Sequence, residues 1–215
     1  LMKLVDNILL ARVYDMKAVD NDKIVYDQDD TYLYKQFSIR KNEGVLNATD
    51  KSSMQGSFCL DKDFIEIDTE KYKTKFNCST LLGYKVAAYY DCDNEIILYV
   101  EAISNKNRLM KIDARDVDYI TKNTIVYIPK GTTGSRKEII PDYMPVLVNG
   151  TFRGYSNTVD AESITPERGS LTLIDNDNDG TYYCLRIVKY DLYVVDSVNK
   201  SKHFITFKNK YIVIT

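Results

Sequence analysis

Short runs of β-branched and aromatic residues recur along almost the whole chain, and clusters of aspartate, asparagine and glycine separate them. Runs of this length between turn-forming clusters are typical of strands. They lie at 24–26, 64–68, 84–90, 95–100, 123–128, 144–148, 170–174, 182–188, 192–195, 204–207 and 211–214. Long helical crossovers are missing, so we expect antiparallel sheets. The sequence predicts a mostly β fold with one or two small barrel-like or sandwich-like domains.

The start of the chain follows a different pattern. Its apolar side chains are three and four residues apart, at Leu1, Leu4, Val5, Ile8 and Leu9. This spacing favours a short amphipathic helix within residues 1–16, although the residues around Val13 would also suit a strand. We expect a chain that begins at Leu1 to be a piece of a longer protein.

Helix is otherwise predicted only as single turns, at 79–83, 114–117 and 161–164. A hydrophilic stretch at 129–138 is expected to be a long exposed loop or a boundary between two halves. We therefore divide the chain into three parts. They are an N-terminal connecting segment (1–42), a first β subdomain (43–128) and a second β subdomain (129–215).

The sequence DNDNDG at 175–180 is the strongest candidate for a metal site. Asp175, Asp177 and Asp179, with glycine next, match the first half of a helical calcium loop. Arg186 stands at the twelfth position, where that loop needs a chelating carboxylate, and the flanking runs predict strands. The helical calcium hand is therefore excluded.

A hairpin turn is the interpretation that we favour for 175–180. Two similar acidic clusters, at 20–23 and 91–94, also precede tyrosine-bearing runs, and Asp, Asn and Gly are the residues that hairpin turns require. The alternative is a looser calcium site on a β-hairpin, closed by Asp191 or Asp196. Calcium is the only cofactor that the sequence brings into question.

Catalytic motifs are not assembled in the sequence. His203 is the only histidine, and no G-x-S-x-G elbow accompanies it. The cysteines are far apart without the spacing of a zinc site. Four cysteines allow three disulfide pairings that the sequence does not distinguish. We favour free thiols at Cys59, Cys78, Cys92 and Cys184, because a chain of this size needs no disulfide for stability. We predict that the chain is not an enzyme. A hydrolase with paired carboxylates stays open, because only their separation in space would identify the pair.

Charge limits the partners. The 29 basic and 31 acidic side chains are well mixed and give a net charge of -2, so no basic stripe for nucleic acid is formed. Apolar stretches stay well short of the roughly 20 residues of a membrane helix, which argues against membrane insertion. The chain has 18 tyrosines and no tryptophan, a composition that suits strands and wet subunit contacts.

Several ordered segments resemble β-rich modules of surface-layer-type proteins from low-GC Gram-positive bacteria, and virion structural proteins of their phages. The segments are GYKVAAYY at 83–90, ILYV at 97–100, IDARDV at 112–117, VLVNG at 146–150, GSLTLIDNDNDG at 169–180 and YVVDSV at 193–198. Together the likeness spans residues 43–215, and the first 42 residues have no counterpart in it.

The resemblance implies an architectural module without catalytic residues. We therefore expect a structural component of a larger assembly, in the tail or connector region of a phage virion or in a bacterial surface layer. Its partners would be other copies or other subunits. The alternative is a calcium-assisted module that binds carbohydrate or cell wall. Either role places the chain in a virion or at the cell surface.

Overall fold

The computed structural model describes residues 2–20, 23–56, 58–200, 204–208 and 210–211, so His203 and the predicted strand at 212–214 lie outside the described residues. Strands hold 49% of the residues and helices 11%, which confirms the predicted mostly β class. Among the described residues, we find no helix that is both long and apolar enough to cross a membrane.

The N-terminal segment begins with helix α1 (Met2–Leu9), which confirms the helical interpretation of the first apolar residues. A two-stranded antiparallel hairpin follows, made of β1 (Arg12–Asp20) and β2 (Lys23–Thr31). Helix α2 (Tyr32–Phe37) then leads into the body of the molecule. The Thr31 hydroxyl caps α2 by accepting the backbone N–H of Tyr34 at 3.3 Å, which satisfies one of the free donors at the helix start.

Five strands then close into a small barrel, in the order β3-β4-β5-β7-β6. They are β3 (Ile39–Thr49), β4 (Phe64–Ile67), β5 (Glu70–Thr74), β6 (Lys85–Asp91) and β7 (Ile96–Ala102). The first half of β3 pairs with β6, and its second half pairs with β4. The antiparallel pairing of β6 with β7 around residues 91–94 confirms the predicted hairpin.

The second half of the chain supplies the remaining elements. They are β8 (Arg108–Asp113), β9 (Val117–Thr121), β10 (Thr124–Tyr127), β11 (Arg136–Ile139), β12 (Pro145–Val148), β13 (Thr151–Tyr155), α3 (Ala161–Ile164), β14 (Gly169–Asp175), β15 (Cys184–Lys189), β16 (Val195–Asn199), β17 (Phe204–Phe207) and β18 (Lys210–Tyr211). A mixed sheet has the order β13-β12-β15-β14-β8. Two three-stranded sheets, β11-β10-β9 and β16-β17-β18, complete the described fold.

The central strands of the mixed sheet, β12, β14 and β15, are buried on both faces. Side chains alternate across a strand, so Leu173 of β14 joins one apolar core while its neighbour Ile174 joins the core of the barrel. Leu147 of β12 and Cys184 of β15 also reach the barrel core. Strands that are covered on both sides have nearly continuous apolar runs, which is the pattern at 145–148 and, apart from Thr172, at 171–174.

Two strand pairs correct the expectation of antiparallel sheets. β5 pairs with β7 in parallel, and β12 pairs with β15 in parallel. The chain returns through β6 in the first case and through β13, the short helix α3 and β14 in the second, without a long helix. A parallel pair needs only a connection long enough to cross over, so the lack of long helices did not exclude it.

The segment predicted as a loop at 129–138 is partly strand. Its last residues form β11, which pairs with β10. Glu138 holds β11 in place because its carboxylate accepts the hydroxyls of Tyr127 at 3.3 Å and Tyr182 at 2.9 Å. In the C-terminal part, β16 begins only at Val195, so the strand predicted at 192–195 is wrong for residues 192–194.

The expected boundary at 128/129 does not coincide with a break between sheets, because β10 and β11 pair across it. The change from barrel to mixed sheet falls at residues 103–107. The predicted single helical turns at 79–83, 114–117 and 161–164 are each present. All four cysteines are free, which confirms that prediction.

Candidate functional site

The acidic loop, which we define as residues 175–183, connects β14 to β15. These two strands are antiparallel neighbours, and Ile174 pairs with Cys184 at the base of the loop. The acidic cluster at 91–94 likewise connects antiparallel neighbours, and in the cluster at 20–23 the described residues Asp20 and Lys23 are paired between β1 and β2. The interpretation of all three clusters as hairpin connections is therefore confirmed.

Asp175 is buried at the end of β14 and organises the acidic loop. Its Oδ1 atom accepts the backbone N–H of Asn178 at 2.7 Å, and its Oδ2 atom accepts that of Gly180 at 2.9 Å. Burial by itself raises the pKa of the Asp175 carboxyl. The backbone N–H groups of Gly180 and Asn178 outweigh that effect, so the pKa lies below its usual value.

Asp177 and Asp179 are exposed, and their carboxylates are bridged by one hydroxyl. The Tyr183 hydroxyl lies 3.3 Å from Oδ2 of Asp177 and 3.4 Å from Oδ2 of Asp179. A phenol has a single proton, so it can donate to only one of them at a time. Desolvation, followed by the two nearby carboxylates, raises the pKa of Tyr183. The hydroxyl therefore stays protonated between the two carboxylates at neutral pH.

The three aspartates are brought together as the metal hypothesis requires. One carboxylate oxygen from each of Asp175, Asp177 and Asp179 lies within 4.8 Å of the others. Among the described residues, no further acidic, histidine or cysteine side chain joins this group. Calcium takes about six to eight oxygen ligands, so water or a ligand would have to supply the rest.

The other side chains considered for the metal site have different contacts. Asp191 and Asp196 were the two proposed closing acids, and neither belongs to the group among the described residues. Asp191 instead accepts the hydroxyl of Tyr193 at 3.0 Å. Arg186 donates from Nη1 to the carbonyl of Thr80, and its guanidinium lies 5.6 Å from the centre of the Tyr84 ring. Arg186, at the twelfth position of the compared calcium loop, thus links the mixed sheet to the barrel and is not a metal ligand.

A cleft of about 470 Å³ opens beside the acidic loop, between the barrel and the mixed sheet. We call it the barrel–sheet cleft. Asp177 and Tyr183 belong to both the loop and the cleft. The barrel contributes the polar side chains Asn47 and Lys85. Clefts between two packed units are common ligand sites in proteins.

No sequence pattern pointed to the barrel side chains that line the cleft. Asn47, Gln55 and Lys85 lie about a hundred residues or more before Asn176 in the chain, and none belongs to a local motif. The acidic loop was the only part of this region with a recognisable pattern. An isolated amide or lysine on a strand carries no spacing signal, so only the packing of the barrel against the mixed sheet reveals the site.

Comparison of the chain with known protein families, curated proteins and solved structures finds no match.

Proposed function

We propose that this chain is a non-catalytic structural module of a larger assembly, in the tail or connector region of a phage virion or in a bacterial surface-layer-type protein. It would then act in a virion or at the cell surface, among other copies or subunits. The resemblance of residues 43–215 supports the setting. The exposure of apolar side chains on both terminal segments is the observation that carries the proposal.

The N-terminal segment presents an apolar helix face. Val5 is 48% exposed and Ile8 is 53% exposed, and residues three apart on a helix share a face. The adjoining strands β1 and β2 pair only with each other among the described strands. An isolated two-stranded hairpin is marginally stable in water. A partner surface that covers helix and hairpin would supply the missing stabilisation.

The C-terminal segment, which we define as the described residues within 190–211, also exposes apolar side chains. Its strands β16, β17 and β18 form a sheet of their own. Leu192 is 72% exposed, Val194 is 62% exposed and Val198 is 56% exposed. Several exposed apolar side chains within one segment commonly mark a site of protein–protein contact. Two such segments, one before and one after the body in the sequence, suit a subunit that contacts a neighbour through each of them.

Association in solution tests the proposal. A variant that lacks residues 1–31 loses α1 and the hairpin but keeps all strands of the barrel. We expect the full chain to associate as its concentration rises and the shortened chain to associate less, with the β circular dichroism of the body retained. Sedimentation velocity over a concentration series measures both. The double variant Val5→Ser, Ile8→Ser should act in the same direction, because it removes only the apolar face.

Leu98→Ser is the matched control, since Leu98 is 47% exposed on the barrel. It should leave association unchanged. Association that is equal in the full chain, the shortened chain and the double variant would contradict the role of the N-terminal segment. Cleavage of cell-wall glycan by the isolated chain, lost when one pair of acidic residues is replaced, would overturn the non-catalytic proposal.

A calcium-assisted module that binds carbohydrate or cell wall is the second candidate function. The clustered carboxylates of Asp175, Asp177 and Asp179 at the side of the barrel–sheet cleft favour it. A calcium-dependent rise in melting temperature that Asp177→Asn abolishes would support this candidate.

A further inference from the structure

The barrel–sheet cleft contains hydrogen-bond acceptors that the protein itself holds in place. The side-chain Nδ2 of Asn47 donates to the carbonyl of Asp68 at 2.7 Å, and that of Asn176 donates to the carbonyl of Gly83 at 3.2 Å. Each bond fixes the plane of its amide. The Oδ1 atoms of both asparagines have no hydrogen-bond donor among the described residues. They are therefore oriented acceptors available to a ligand.

A carboxylate and two donors complete the polar set. Oδ1 of Asp68 accepts the backbone N–H of Val45 at 2.7 Å, which leaves Oδ2 without a donor among the described residues. The Lys85 ammonium and the Gln55 side-chain amide also line the cleft, and within the described part of the chain neither has a polar partner. Donors and acceptors thus face the same space without satisfying one another.

Charge and shape narrow the class of ligand. The lining carries two carboxylates, Asp68 and Asp177, against the single ammonium of Lys85, and no ion pair within 4.0 Å joins Lys85 to either in the described structure. A net negative lining disfavours phosphates and other anions. The rings of Tyr155 and Tyr183 provide flat apolar surface beside the polar groups. A neutral ring with several hydroxyl groups matches this combination.

We propose that the barrel–sheet cleft binds one neutral sugar ring of a glycan. The oriented amide oxygens, Asp68, Lys85 and Gln55 would bind its hydroxyl groups, with the two tyrosines against the ring. A cleft of about 470 Å³ holds a ligand of this size. The inference shares its class of ligand with the second candidate function but does not require calcium. It is also independent of the assembly role.

Saturation-transfer NMR with the full chain tests the proposal, with N-acetylglucosamine and glucose as the probes. We expect transfer to at least one of these sugars, with a dissociation constant of about 1 mM for so small a ligand. Lys85→Met and Gln55→Ala should each weaken binding by about fivefold to tenfold, since each removes an unpaired donor. Tyr183→Ala should weaken it through loss of ring contact. Glucuronate should bind more weakly than glucose because of the negative lining.

Matched controls lie away from the cleft. Tyr119→Ala replaces a tyrosine that is 51% exposed on β9, and Lys111→Met replaces an exposed lysine on β8. Both should bind the probes as the full chain does. Circular dichroism and the melting temperature establish that every variant is folded. Binding that persists in EDTA agrees with the proposal.

Three outcomes would overturn it. The first is no transfer to either probe at concentrations about tenfold above the expected dissociation constant. The second is binding that Lys85→Met, Gln55→Ala and Tyr183→Ala all leave unchanged, or that EDTA abolishes. The third is loss of self-association in the cleft variants, which would make the cleft a subunit contact. If the chain binds sugar but does not associate, the sugar-binding inference is supported and the assembly proposal is contradicted.

Discussion

The carboxylate of Asp175 accepts the backbone N–H of Gly180 at 2.9 Å, five residues further along the chain. The same carboxylate accepts the N–H of Asn178, so one buried side chain closes the connection between β14 and β15. Backbone donors that would otherwise be unsatisfied are thereby paired inside the loop. Asp175 therefore stabilises the loop through hydrogen bonds within the protein, and this role does not depend on a bound ion.

Replacement of Asp175 by alanine should destabilise the fold. Asp175→Ala removes a charged acceptor from several backbone donors at a buried position, so we expect a loss of about 2 kcal/mol in the free energy of unfolding. For a chain of this length that corresponds to a fall of roughly 6 °C in melting temperature. Asp177→Ala, at an exposed position of the same loop, should change stability by less than about 0.5 kcal/mol. Equal effects of the two substitutions would show that Asp175 does not organise the loop.

The contribution of Asp175 should also depend on pH. Its pKa in the folded state lies below the ordinary value of 3.8. The carboxylate therefore stays ionised to a lower pH in the folded state than in the unfolded state. The stabilisation is present above pH 3.8 and is lost as the pH falls through the folded pKa. Urea unfolding of the full chain and of Asp175→Ala, compared at pH 7 and below pH 3.8, should show the difference between them shrink in acid.

Removal of calcium should leave the melting temperature unchanged if the acidic loop is only a turn. Backbone donors and the Tyr183 hydroxyl already neutralise part of the charge of its carboxylates. A site with a dissociation constant of ~10 μM would instead gain about 2.7 kcal/mol in 1 mM calcium. Differential scanning fluorimetry in EDTA and in calcium measures the shift. A rise of several degrees that is lost in Asp177→Asn, but kept in Asp93→Asn of the acidic turn at 91–94, would assign the loop to calcium.

Stability should fall in alkaline solution, and Tyr182 should contribute to the fall. Desolvation, together with the hydrogen bond to Glu138, raises the pKa of the Tyr182 hydroxyl from 10.0 to about 12. Above pH 10 the unfolded state loses its proton first, so the free energy of unfolding decreases until about pH 12. In urea titrations, the free energy of unfolding of Tyr182→Phe should decrease less steeply over this pH range. Tyr143→Phe is the control, because Tyr143 is 69% exposed. If the free energy of unfolding fell equally steeply with pH in Tyr182→Phe and in Tyr143→Phe, Tyr182 would not contribute to the alkaline loss of stability.

The four free cysteines should differ in their reactivity. Burial raises the pKa of Cys184 to about 12 and that of Cys78 to about 11, so near neutral pH both are protonated and shielded from reagents. Cys59 is exposed and should react first with a maleimide. Mass spectrometry after brief labelling should find Cys78 and Cys184 unmodified until urea unfolds the chain. Labelling of Cys184 as fast as Cys59 in the native protein would contradict its buried position.

Local pattern determined much of the fold. The runs at 84–90 and 95–100 specify strands because their β-branched and aromatic side chains fit a pleated surface. The cluster at 91–94 specifies the turn because Asp91 accepts the backbone N–H groups of Asp93 and Asn94, each at 3.0 Å. The same reasoning identified the acidic loop and its aspartates. These interactions join residues that are close in the chain, so the sequence alone was sufficient to predict them.

Long-range pairing determined the rest. The parallel pairs, the place of β11 and the boundary between barrel and mixed sheet depend on which distant strand completes each set of hydrogen bonds. Composition and spacing do not encode that choice. The barrel–sheet cleft has the same origin, since Asn47 and Asn176 are 129 positions apart in the sequence. Both line the cleft because Leu147, Ile174 and Cys184 bury their apolar surface in the barrel core and so hold the mixed sheet against the barrel. The sequence determined the strands and turns, and burial in the shared core decided which polar side chains surround one cleft.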